Sequence, residues 1–455
     1  MTEILSAAER AVRLAVNKGF DEAEAFATKI TRRDIIFRNT IEATRRSTVA
    51  GLSVRGIVGR RIGFFSTSSL ERSDVETAVD ESLKIARANN EDPAWRSLPR
   101  KYGKASVQKI RDKNIEHATA KDLVDEVRLA INTVHEVGSA DITRGFLLTN
   151  VMSNAIANSH GCRLERKETF AAMSLAAKAG TADKKGVSNE FSVTRLWKGL
   201  KTKQLAHAAA ERAVKMVDAV QIPNGKLNTV WRNDAFSSII DAMLTRTITA
   251  DAIQKNRSPW TGKIGQHVAS EGVTIVDEGR MEAGNGTRPF DDDGIPQTRT
   301  PVIEKGVLRG FLYDNYTASK ESRLSTGNAH RDVGTFGSQA NYMRTPAPYP
   351  NNLVLEPGDA TAEELIKETK NGLYVVETIG EWLSNPISGE LSATLSSGFL
   401  IENGELTRAV KGVIIASNFF DILKGKMDLR ANDLHSAGAV YAPTTQVNDM
   451  TVAGE

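Results

Sequence analysis

Cysteine is nearly absent. Cys162 is the single one among 455 residues, which excludes an internal disulfide framework and every multi-cysteine zinc or iron–sulfur site. Long apolar runs are absent too, and no stretch reaches the roughly 20 residues that a membrane-spanning helix needs. Met1-Thr2-Glu3-Ile4 lacks the basic start and apolar core of a signal peptide, so a cytoplasmic location is expected. Excess charge of one sign is also missing: 59 basic residues are interspersed with 56 acidic ones, for a formal charge of +3. A nucleic-acid binder clusters its Lys and Arg on one face. The nearest approach here is the doublets Arg45-Arg46 and Arg60-Arg61, read as solvated strand ends, so nucleic acid is not an expected partner.

The familiar self-contained catalytic motifs are missing as well. The seven histidines (117, 135, 160, 207, 267, 330 and 435) are never three or four residues apart, whereas a helical zinc site places two ligands one turn apart so that both project from one face. His135-Glu136 starts a His-Glu-x-x-His pattern, but Ser139 and Ala140 stand where the second histidine belongs. There is no phosphate-cradling Walker loop, no dinucleotide fingerprint and no Gly-x-Ser-x-Gly elbow.

What is present is an ordinary globular composition, 40% hydrophobic and 25% charged, over a length that calls for more than one core. The pattern is α+β. Residues 3–18 carry Leu5, Ala8, Val12 and Ala15 at helical spacing, with Gly19 placed to cap the end. Extended segments are expected at 23–28 and 35–38, then a hairpin from 52 to 65 turning at Gly59-Arg60-Arg61. A helix is expected over 75–88, a polar excursion over 89–114, a helix over 121–137, strands over 142–152, 154–160 and 168–178, and a helix over 203–217. Breaker residues in Val220-Gln221-Ile222-Pro223-Asn224-Gly225 place the domain boundary there. The expectation is an N-terminal α+β domain, 1–222, and a hairpin-rich C-terminal domain with antiparallel sheets, 223–455. Two segments of the latter echo each other: 302–308 turns at Glu304-Lys305-Gly306 and 400–406 at Glu402-Asn403-Gly404, which suits a type I′ turn. Internal duplication and chance are both open as explanations.

Two local clusters could carry chemistry. In His160-Gly161-Cys162 an imidazole and a thiol lie close together, as a nucleophile requires, but Gly161 reads as a hairpin turn from which flanking side chains diverge. Asp291-Asp292-Asp293-Gly294 is contiguous, whereas a calcium loop alternates its ligands and ends in a bidentate Glu. It is read as a solvated acidic turn.

Several segments taken in order then match a known family: Arg55-Gly56-Ile57-Val58-Gly59-Arg60-Arg61-Ile62-Gly63-Phe64; Asp291-Asp292-Asp293-Gly294-Ile295-Pro296; Val302 to Leu312; Thr326-Gly327-Asn328; Ser388-Gly389-Glu390-Leu391-Ser392; Ile401 to Leu406; and Met450-Thr451-Val452-Ala453-Gly454. The chain resembles the TldD/PmbA family, once described as modulators of DNA gyrase and now understood as metalloproteases, over nearly its whole length. The resemblance implies a two-domain fold. The catalytic TldD-type chain has His-Glu-x-x-x-His on a helix about twenty residues before a glycine-containing loop, which matches Thr261-Gly262-Lys263-Ile264-Gly265 here. A gapless count back puts Asp241 and Arg246 at the two histidine positions and Ala242 at the glutamate. Arg is a permanent cation that repels zinc, and no His or Glu lies between Asn233 and Gln254. The family's C-terminal cysteine ligand is missing too. The chain therefore resembles the TldE/PmbA branch. This implies a heterodimer in which a TldD-type partner holds the zinc, while this chain holds no metal or cofactor, has no catalytic residue, and shapes a chamber for unfolded peptides with an edge to which they can add as a strand. A homodimer is the alternative assembly.

Two other readings stand beside this one. One is a binding or regulatory protein acting on nucleic acid or a topoisomerase, which the balanced charge opposes. The other is an enzyme with a non-standard metal site assembled from Asp291, Asp293, His330 or His435, against which His330 reads as an ordinary surface-loop histidine.

Overall fold

The chain is described here from a computed structural model that covers residues 2–332, 339–436 and 438–454. Two long hairpins dominate the first half. β1 (Glu22–Phe37), β2 (Ile41–Val58), β3 (Arg61–Thr67), β4 (Ala140–Asn158), β5 (Arg163–Gly180) and β6 (Lys185–Thr194) form one antiparallel sheet in the order β3-β2-β1-β4-β5-β6. The separate strands expected at 23–28 and 35–38 are one strand, and those at 142–152 and 154–160 are another. The polar stretch Thr28 to Asp34 hides this continuity, because Thr31 to Asp34 are only half-buried and the apolar alternation lapses there.

The two faces of β1 have different partners. Ala23, Ala25 and Ala27 pack with Leu52 and Val54 against α1 (Glu3–Asn17) and α2 (Arg72–Ala88), while Ile35 and Phe37 pack with Ala171 and Met173 in a second core. That core is covered by α3 (Ala120–Val137) and α4 (Thr202–Lys215). The α3 helix starts with a capping box between Thr119 and Asp122 and ends at Gly138 with φ of 80°, the left-handed geometry that glycine adopts without a Cβ penalty. The alternate residues Glu24 and Phe26 face the second half of the chain instead. Residues 89–114, expected as an excursion, cross between the halves: Trp95 stacks on Tyr316 at 6.2 Å and Asn315 donates to the Ser97 carbonyl.

The second half contains a closed ring of strands. β7 (Gly225–Trp231) lies between Gly372–Ile379 and Thr445–Ala453. The ring continues through Ile414–Asn418 and Glu390–Glu402 and closes back on Gly372–Ile379. Beside it a second sheet holds β8 (Ile275–Glu278), β9 (Arg299–Glu304) and β10 (Val307–Leu308), with Leu353–Leu355, Val440–Ala442 and His435–Ser436. Both expected hairpins are present. Lys305 and Gly306 have φ of 49° and 77°, and Asn403 and Gly404 have 55° and 81°, as a type I′ turn requires. The two hairpins lie in different sheets. α5 (Asn233–Leu244) fills the space between ring and sheet with Phe236, Ile239, Ile240, Met243 and Leu244. Among the described residues no helix is long and apolar enough to cross a membrane.

Candidate functional site

The buried side of α5 leaves its opposite side facing a cleft of about 260 Å³. Ser237, Ser238, Asp241 and Ala242 line it from the helix; these positions share one helical face. Gly286, Arg288, His330, Asp332, Tyr349 and Asn351 contribute the floor and one wall, and Glu381 and Trp382 with residues 438–440 the other. The helix singled out by the resemblance thus lines a cavity, and the three positions counted along it divide. Asp241 and Ala242 face it, whereas Arg246 is exposed and outside its lining.

The donors on this helix face are a poor set for zinc, which takes imidazole, thiolate and carboxylate ligands. Both serine hydroxyls donate to carbonyls one turn back, Ser237 to Asn233 at 2.8 Å and Ser238 to Asp234 at 3.1 Å. Ser237 Oγ also accepts from the amide of Ala442. Ala242 offers nothing. Asp241 is solvent-accessible but crowded by the cleft walls, and that crowding raises its pKa above the usual carboxylate value. Tyr349 approaches it at 3.5 Å. Among the described residues no three His, Cys, Asp or Glu side chains are grouped to hold a metal ion. The residues present do not fit a zinc centre.

His330 corrects one expectation. It is 4% exposed, sits in the short strand Ala329–His330, and meets the Tyr349 ring edge-on at 6.0 Å. Its Nε2 lies 2.9 Å from Asn351 Oδ1 and its Nδ1 3.2 Å from Arg288. Asn351 in turn donates to Asp277 at 2.9 Å. Burial lifts Asp277 to about 6 despite this bond, one from Asn328, and one from the Asn351 amide.

The acidic run is the larger correction. Asp291, Asp292 and Asp293 are buried rather than solvated. They belong to a charged seam joining the first sheet to the second half of the chain. Arg55 on β2 bridges Glu24 at 2.8 Å and Asp293 at 3.0 Å. Glu24 also takes Arg331 at 2.6 Å. Arg166 on β5 joins Glu168 and Asp292, and Arg195 meets Glu168 at 2.9 Å. Arg288 holds Asp332 at 2.8 Å. Burial alone would raise Glu168, yet Arg195, Arg166 and Arg288 together bring it down to about 2. Asp291 behaves differently: burial and then the neighbouring Asp293 raise it well above the usual range, although its oxygens accept the amides of Ala329, Ile295 and Asp293.

The non-standard metal constellation is not assembled. Asp291 and Asp293 are committed to the seam, His330 lies at the cleft, and His435 is exposed outside the cleft lining. The other local candidate is also accounted for. Gly161, with φ of 92°, turns β4 into β5, and burial pushes the Cys162 thiol up to about 12, which leaves no thiolate for attack. His160 contacts Glu22 at 2.7 Å.

Family models for the PmbA/TldA metallopeptidases match three successive parts of the chain: domain 1 at residues 23–86, the central domain at 109–217 and the C-terminal domain at 224–454. The chain is 23% identical to a metalloprotease PmbA homologue of Haemophilus influenzae, over 99% of its own length and 96% of that protein. It is 25% identical to a metalloprotease of Methanocaldococcus jannaschii, over 82% and 81%. Among solved structures, TldE of Thermococcus kodakarensis superposes with a TM-score of 0.89 at 24% identity, covering 98% of this chain and 99% of that one. A Thermotoga maritima protein, described as a candidate modulator of a DNA gyrase, gives 0.86 at 26% identity, with the same coverage.

Proposed function

Because the chain belongs to the PmbA/TldD metallopeptidase family, we propose that it is the non-catalytic subunit of a two-chain metalloprotease that degrades unfolded peptides. A TldD-type partner supplies the zinc and the attacking water. This chain supplies wall and floor of the chamber. The observation that supports the reading is the cleft-facing side of α5, the helix to which the family resemblance assigns His-Glu-x-x-x-His: it offers two hydroxyls already bonded to the helix, one carboxylate and one methyl. A helix that keeps the cavity but not the ligands suits a chain that shapes substrate rather than cleaves it. The lip of the cleft agrees with an assembled state, because Trp382 and Leu383 are 62% and 82% exposed, a costly arrangement for large apolar groups unless something covers them.

Metal analysis tests the missing site. The purified chain, incubated with zinc and then desalted, is expected to retain far less than one zinc per molecule. Stoichiometric retention by the lone chain, removed by Asp241→Ala, would contradict the proposal.

A further inference from the structure

The cleft has a chemistry of its own that the absence of zinc does not explain. Its floor is polar but already paired. Arg288 is held by Asp332 through both oxygens, at 3.1 and 2.8 Å, and His330 is braced by Asn351. The floor therefore presents little free charge. The rim differs. Asp241 on α5 and Glu381 on the turn Glu381–Leu383 both line the cavity, and among the described residues neither has a cation at salt-bridge distance. Their side-chain hydrogen bonds are to neutral groups: Asp241 meets the Thr245 hydroxyl and Tyr349, the latter at 3.5 Å, and Glu381 meets Thr378 at 3.4 Å. Arg246, five residues beyond Asp241, acts on it electrostatically but lies outside the lining, and Arg288, which lines the floor, is taken by Asp332. Two carboxylates within electrostatic reach of one another, and without a matched cation, make a cavity whose missing partner is positive. Crowding by the walls raises both above their usual values, and Asp241 raises Glu381 further.

The walls specify what kind of cation. Trp382 stands 62% exposed at the rim, and an indole face next to carboxylates attracts an organic cation. Tyr349 and residues 438–440 supply the remaining side. A volume of about 260 Å³ lies just below the roughly 300–1,000 Å³ typical of sites for whole small ligands, which suits one side chain rather than a complete ligand. We propose that this cleft is a specificity pocket for a basic side chain, lysine or arginine, of an extended peptide, with Asp241 and Glu381 as its charge partners and Trp382 as its aromatic wall. This rests on the reading of the chain as a peptide-handling subunit, but it concerns binding by this chain alone.

The experiment is a calorimetric titration of the full-length chain, without partner or zinc, with short unstructured peptides blocked at both ends. The peptides differ at one central residue: lysine, arginine, norleucine or glutamate. The lysine and arginine peptides are expected to bind at least tenfold more tightly than norleucine, and glutamate more weakly still. In Asp241→Asn/Glu381→Gln that preference collapses, while the norleucine affinity and the melting temperature stay within error, since both side chains are at the cleft rim. A further norleucine peptide with a free N-terminus separates recognition of a side chain from recognition of a terminal amine. Equal affinity for lysine and norleucine, no binding of any peptide, a preference that survives the double variant, or tight binding only of the free amine would each overturn the proposal. Any of these results leaves the zinc-free subunit reading standing, because that reading is judged by metal content and hydrolysis.

Discussion

At the scale of single residues, the informative side chains are charged groups that water does not reach. Glu168 is 1% exposed and bonded to Arg166 and Arg195. Removing one member of such a set strands the others in a medium that solvates them poorly. Glu168→Gln is expected to destabilise the protein by about 3 kcal/mol or more, read as a lowered urea midpoint at neutral pH. The pH dependence has a definite sign. Glu168 is held at about 2, below its ordinary value of 4.5, so its contribution is complete above the ordinary value and is lost as pH falls from there towards 2. Asp277, raised to about 6, acts oppositely: its contribution is complete at acid pH and is lost as pH rises through 6. The Glu168→Gln variant should therefore have a shallower acid-side slope, with Asp292, Asp332 and Glu116, also held low by their cations, supplying the remainder, while keeping the Asp277 one. An unchanged slope between pH 4.5 and 2 would show that Glu168 is not a main proton acceptor on unfolding. None of this seam was legible in the sequence. Its members, from Glu24 to Asp332, are brought together only by sheet register, and a run such as Asp291-Asp292-Asp293 read alone has the composition of a solvated turn.

Among the elements, legibility followed the physics of each signal. Helices with one apolar stripe and a cap, such as α1 and α3, are visible because burial on one side imposes a period. The turn at Asn403-Gly404 is visible because positive φ restricts residue choice. The long strands β1 and β4 were divided because β1 runs through the half-buried polar stretch Thr31 to Asp34 and β4 buries Asn150 and Asn154, so the apolar alternation lapses without the strand ending. On α5, counting from a loop reached Asp241 and Ala242, which line the cleft, but not Ser237 and Ser238; the packing of Phe236, Ile240 and Met243 into the core turns all four towards the cavity. Close packing of the wall yields a test. A Cβ on Gly286 would lie 1.8 Å from the carbonyl oxygen of Asn351, which is backbone and cannot swing away. Gly286→Ala is expected to cost about 3 kcal/mol, seen as a lower melting temperature. An unaltered melting temperature would mean that this wall yields more readily than its packing indicates.

For the whole molecule, the central observation is a PmbA/TldD-family fold with a cleft lined from α5 by two serines, one aspartate and one alanine. The seam of buried ion pairs and the crossing segment 89–114 tie the first sheet to the ring and sheet of the second half, so the cleft is held by both ends of the chain. The lip formed by Trp382 and Leu383 and the uncompensated Asp241 and Glu381 face outward from that rigid frame, where a partner and a peptide would meet them. The order of the short motifs was enough to place the chain in its family, because their spacing extends over most of its length. It could not show which residues face the cleft, because they come from six separate segments. The most direct measurement is hydrolysis of an unfolded peptide by this chain alone, by a TldD-type chain alone and by the two together, each with and without a zinc chelator. The account predicts no hydrolysis by this chain alone and chelator-sensitive hydrolysis by the pair. Chelator-sensitive hydrolysis by this chain alone would contradict it.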